Sequence, residues 1–73
     1  MEDKERAKVL FSAIEQLAEN QSLAYTLHKI EGRSYQEVAE MMEVSVSSVE
    51  SLLFRAKKRL QQLLENYYRE NLE

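Results

Sequence analysis

The stretch from Ser34 to Leu64, SYQEVAEMMEVSVSSVESLLFRAKKRLQQLL, leaves this chain of 73 residues few folds to choose from. It reads as a short amphipathic helix, a tight turn and a longer helix. Tyr35, Val38, Ala39 and Met42 fall at i, i+3, i+4 and i+7, one apolar face of a helical period. Ser34 followed three residues later by Glu37 has the form of a capping box, which marks the start. In the longer helix, Val46, Val49, Leu53, Ala56, Leu60 and Leu63 or Leu64 make a narrow apolar seam. At about 100° per residue, Ser47, Ser51, Phe54 and Lys58 point the opposite way, with Ser48 and Arg55 beside them. Hydroxyls near the N-terminus and cations one to three turns later suit a helix that enters a DNA major groove N-terminus first.

The rest of the chain adds helices to that pair. From Lys4 to about Ala18, the residues Ala7, Leu10, Phe11, Ile14, Leu17 and Ala18 share a face, and Glu2, Asp3 and Glu5 suit the positive dipole end. After Glu19-Asn20-Gln21-Ser22, with Asn20 as the expected N-cap, a second helix turns Leu23, Leu27 and Ile30 inward and leaves Ala24 at the margin. It ends at Gly32, the only glycine, which fits a position needing positive φ. Ser45 is the expected N-cap of the long helix, and Asn66 to Glu73 has few apolar groups and is expected to fray. Leu72-Glu73 has the form of a cloning remnant and is left out of the functional argument. With no proline and no cysteine, the expected fold class is all-α, four helices containing a helix-turn-helix at about residues 34–64 of a single domain.

A turn of this kind usually has glycine where Glu43 stands, because the backbone there is left-handed, at a cost of about 1–2 kcal/mol for another residue. Either Glu43 is strained or the turn is built differently. The net charge of −3 hides a division. Residues 31–50 carry Arg33 against five glutamates, whereas Arg55, Lys57, Lys58 and Arg59 cluster with no acid between them. A phosphate within a Debye length, about 8 Å at physiological salt, feels that local cluster. Its ordinary alternative is a solvated face favoured by the helix dipole.

Among the candidate contacts, Arg55 and Lys58 point outward, while Lys57 and Arg59 flank the seam and can cover it with their stems. Ser47, Ser48 and Ser51 suit base edges or phosphates, although capping accounts for Ser45 and extends to Ser48. Glu50 suits either a cytosine amino group or the helix N-terminus, and the sequence does not separate the two. Phe54 can meet a thymine methyl or sugar, Tyr67 of a neighbouring chain, or the first helix; packing on the first helix is the ordinary outcome. Met41 and Met42 read as core and rim. His28 is the only histidine and has neither a second metal ligand of its kind nor a nucleophile beside it, so no cofactor, metal or enzymatic role is expected. No apolar run reaches membrane-span length, and a cytoplasmic protein is the default.

Leu17-Ala18, then Leu23-Ala24-Tyr25-Thr26-Leu27, then Glu31-Gly32-Arg33-Ser34-Tyr35-Gln36-Glu37-Val38-Ala39 lead into the run from Val44 to Leu60. In this order they resemble region 4, the C-terminal domain, of a bacterial RNA polymerase sigma factor of the extracytoplasmic-function group. The likeness covers about residues 10–64. Ala18 departs from the family's proline, Ser22 from its arginine and Glu43 from its glycine, and Glu50 and Leu52 stand where many relatives have basic residues. The resemblance implies that Ser47, Ser48, Glu50, Ser51, Arg55, Lys58 and Arg59 face the −35 element of double-stranded promoter DNA. It also implies docking on the β-subunit flap of RNA polymerase and a surface that anti-sigma factors cover. Nothing in the chain resembles region 2, so it reads as an excised domain or a stand-alone relative. Two alternatives stand beside it. One is a helical protein-interaction module with little DNA binding. The other is a tetrahelical response-regulator output domain, which dimerises on its last helix where the sigma reading predicts a monomer.

Overall fold

A computed structural model describes residues 2–70, with side chains from Lys4 onward. Helix α1 spans Glu2–Glu15, α2 Glu19–Tyr25, α3 Tyr35–Met42 and α4 Val46–Glu70. Between α2 and α3 the chain continues as a π-helical turn over Thr26–Ile30, closed by the Glu31 amide donating to the Thr26 carbonyl at 3.0 Å. Helix α4, about 37 Å long at 1.5 Å per residue, fills most of the molecule's 44 Å longest dimension. The other helices pack along it.

Two apolar clusters share α4. Near its N-terminus, Val49 packs with Ala24, Leu27, Val38 and Ala39, flanked by Met42, Leu52 and Leu53. Further along, Ala56 and Leu60 pack with Ala13, Ile14 and Leu17 of the α1 segment, flanked by Leu10, Tyr25, Leu63 and Leu64. The seam expected on α4 is therefore the buried one, except that Val46 lies at its exposed end. Residues 66–70, expected to fray, continue the helix; Leu72 and Glu73 lie outside the described residues.

The faces of α1 and α2 are rotated from those expected. On α1, Ala7 and Phe11 are exposed, and Ala13 is buried instead. On α2, Ala24 is fully buried, while Leu23 and Ile30 are 47% and 45% exposed. The reason is close approach: alanine lets the helix backbone come near α4, where Leu23 or Phe11 would hold it off. The π turn advances less angle per residue than an α-helix, so Ile30 falls short of the inward direction.

The same register sets the start of α2. Its N-cap is Ala18, not Asn20, with no side-chain cap; the Ala18 carbonyl accepts from the Ser22 amide at 2.8 Å. Starting at Glu19 places an acid in the first turn, which the dipole favours. Helix α1 ends earlier than expected, at Glu15, and the amides of Gln16 and Leu17 tighten onto the carbonyls three residues back.

Candidate nucleic-acid interface

The turn before α4 is where the motif takes its angle. Ser34 Oγ accepts from the Glu37 amide at 3.1 Å and the Glu37 carboxylate accepts from the Ser34 amide at 2.9 Å, so the capping box closes. At the other end of α3, Glu43 adopts φ 59° and ψ 46°, the left-handed conformation that glycine takes without cost. Its strain is real, and the usual turn geometry is kept. The Val44 amide donates to the Ala39 carbonyl at 2.9 Å, which redirects the chain into α4. Gly32 likewise has φ +76°, with open space where a Cβ would stand.

Ser45 caps α4, its Oγ accepting from the Ser48 amide at 3.1 Å. The Ser45 hydroxyl also lies 2.9 Å from Ser48 Oγ, as donor, and 3.2 Å from Ser47 Oγ. Ser47 and Ser48 are thus tied into a hydroxyl cluster at the helix start, exposed to solvent. Ser51, Arg55 and Lys58 follow on the exposed arc. Neither Arg55 nor Lys58 is in an ion pair among the described residues, where the Arg33–Glu31 pair at 3.0 Å is the one formed. Arg59 Nη1 donates to Gln62 Oε1 at 3.4 Å and points to the side of the arc. All seven candidate residues are exposed; Ser47, Ser48, Ser51, Arg55 and Lys58 share the arc of α4 that turns away from both clusters, and Glu50 and Arg59 lie at its two edges.

Of three neighbouring positions, Phe54 alone differs from expectation. Leu52 is half-buried against Val49's cluster, so the residue standing where relatives are basic belongs to the core. Glu50 is exposed and lines a cleft with Tyr35, His28, Lys29 and Lys57. Phe54 lies at the rim of that cleft and does not pack on α1; at 66% exposure it is the most open large apolar side chain described. The cleft's far wall is fixed by His28, whose Nδ1 donates to the Arg33 carbonyl at 2.8 Å and whose ring meets Tyr35 edge-on at 4.8 Å. Sequence reasoning missed this cleft because it forms between the π turn, the start of α3 and the middle of α4. Only the outward register of Phe54 hinted at it.

Among the described residues no His, Cys, Asp and Glu side chains converge in a group that can hold a metal ion. No described helix is long and apolar enough to cross a membrane.

Fold and exposed arc together define an all-α helix-turn-helix domain with a polar, cation-bearing second helix. The sequence matches the family described as Sigma-70, region 4 over residues 7–60, and the chain belongs to that family of non-enzymatic transcription-factor domains. It is 36% identical over 84% of its length to the ECF RNA polymerase sigma-E factor of Haemophilus influenzae. To the proteins of the same name in Escherichia coli K12 and Salmonella typhimurium LT2 it is 37% identical over 82% of its length. The chain spans about a third of the length of these curated relatives: 32% of the first and 31% of the other two.

Proposed function

We propose that this region 4 domain binds the −35 element of promoter DNA with α4 in the major groove and docks on RNA polymerase during transcription initiation. The single observation behind the reading is the exposed arc of α4, with Ser47, Ser48 and Ser51 in front and Arg55 and Lys58 behind, free of carboxylate partners among the described residues. Hydroxyls bond either base edges or phosphates, and the two cations fall about 12–16 Å from Ser47 along the helix, within reach of the groove's walls. Glu50 and Arg59 flank the arc as side contacts. Work in the cytoplasm as a monomer, docking on the β-subunit flap and capture by an anti-sigma factor belong to the same proposal.

A salt titration on promoter-like and scrambled duplexes tests it. With about four phosphates neutralised, the slope of log K against log salt is about −3.6, a loss of roughly a hundredfold between 50 and 200 mM. Arg55→Ala combined with Lys58→Ala should lower that slope by about 1.8. A second reading, a helical protein-interaction module, draws on the acid at Glu50 and the half-buried Leu52, which leave two positions beside the arc without a cation. Absent or salt-insensitive binding to both duplexes supports that module instead.

A further inference from the structure

Arg33 is fastened to the π turn by both of its backbone polar groups. Its amide donates to the Leu27 carbonyl at 3.0 Å, and its carbonyl accepts from His28 Nδ1 at 2.8 Å. The same imidazole ring meets Tyr35, the first residue of α3, edge-on at 4.8 Å. His28 therefore grips the chain on both sides of the Ser34 cap. Val38 and Ala39 anchor α3 in the cluster around Val49, but Ser34 to Glu37 precede that anchor and are exposed. The place of this first turn is left to the loop that leads into it, and His28 ties that loop down.

On a duplex, the second helix of a helix-turn-helix enters the groove while the first crosses the backbone beside it. Both must fit at once, so the distance from α4 to the first turn of α3 matters to binding although that turn reads no base. We infer that His28 is a positioning residue for DNA binding: through the Arg33 carbonyl and the Tyr35 ring it holds the first turn of α3 where α3 and α4 meet the duplex together. The inference rests on the DNA-binding reading above and adds to it a residue that lies before the motif and touches no DNA. Without the His28 bond the first turn of α3 samples other positions. The duplex then binds only the fraction of molecules that hold the right one, and the apparent affinity falls by that fraction.

Two substitutions in the full chain separate the ring from its donor. His28→Phe keeps an aromatic ring against Tyr35 and loses the bond to Arg33; His28→Asn loses the ring and sets an amide nitrogen where Nδ1 stands. Each is titrated with the promoter-like duplex from 50 to 200 mM salt, at a temperature where circular dichroism shows parent and variants fully helical, so lost stability does not enter. His28→Phe should weaken binding about fivefold, the share one net hydrogen bond controls, by the same factor at every salt concentration. A lost phosphate contact would instead lower the salt slope by about 0.9. His28→Asn should recover most of the affinity. Without DNA, amide exchange in His28→Phe should speed up at residues 34–37 and stay at the parent's rate around Val49. The inference falls, with the DNA reading left standing, if His28→Phe binds as tightly as the parent, if its salt slope drops, or if His28→Asn is as weak as His28→Phe. If the parent shows no salt-dependent binding to either duplex, both fall.

Discussion

Glu43 holds its backbone at φ 59° and is the one described residue other than glycine at positive φ. Its Cβ crowds the following carbonyl, which costs about 1–2 kcal/mol. Glycine removes that crowding but gives back about 0.5–1 kcal/mol in unfolded-chain entropy. Glu43→Gly should therefore stabilise the domain by about 0.5–1 kcal/mol and raise its melting temperature by about 2–8 °C. Thermal unfolding followed by circular dichroism checks this; a lower midpoint would mean that the carboxylate makes a compensating contact. The strain was legible in the sequence, as were the Ser34–Glu37 box, the Ser45 cap and the turn at Gly32, because each is settled within a few residues. Asn20 misled for the opposite reason. Its capping chemistry is sound, but the start of α2 is set by which side chains must face α4, and a long-range contact outranks a local one.

Element by element, the two clusters on α4 divide the labour of holding the molecule together. Val49 secures α2 and α3 in the helix-turn-helix; Ala56 and Leu60 secure α1. A domain of this size has on the order of 4–11 kcal/mol of stability, and a buried Leu→Ala change removes about 2–5 kcal/mol. Leu60→Ala should cost that much and should act unevenly: hydrogen exchange is expected to speed up in α1 before it does in α3. Equal loss in both would show that the clusters unfold as one unit. The sequence disclosed α3, and α4 as far as Leu64, almost residue for residue, because their apolar periods are sharp and both start at a cap; it did not disclose that α4 runs on to Glu70. It disclosed the existence of α1 and α2 but not their faces. Hydropathy ranks Leu23, Ile30 and Phe11 above Ala24 and Ala13, whereas packing against a long central helix rewards the smaller side chains that permit close approach. Nor does a run such as Thr26–Ile30 announce a π turn, which depends on the fit of its neighbours rather than on its own residues.

For the molecule as a whole, the question is how a chain with a net charge of −3 presents a face to a polyanion. The cations gather on the middle of α4, and the acids spread over α3, its turn and the start of α4. The arc itself was legible in the sequence because a helix repeats its faces; the cleft beside it was not, because residues 25–35 and the middle of α4, well apart in the chain, build it together. Glu50 lies where the two charge fields meet, exposed and one turn before Phe54. Two roles are open to it in the groove, and they respond oppositely to one substitution. If it is a bystander carboxylate, Glu50→Gln removes repulsion from every phosphate within about a Debye length. Binding should then strengthen a few-fold on promoter-like and scrambled duplexes alike, with the gain shrinking as salt rises from 50 to 200 mM. If it accepts from a cytosine amino group, Glu50→Gln should instead weaken binding to the preferred duplex alone, by roughly tenfold, and relax discrimination at one base pair. The acidic surround of the helix start, where Glu40 and Glu43 add to the same field, makes the first outcome the expected one. Paired titrations on the two duplexes, parent against Glu50→Gln, decide it: a uniform, salt-sensitive gain marks the carboxylate as a brake on affinity, and a loss confined to one sequence marks it as a reader.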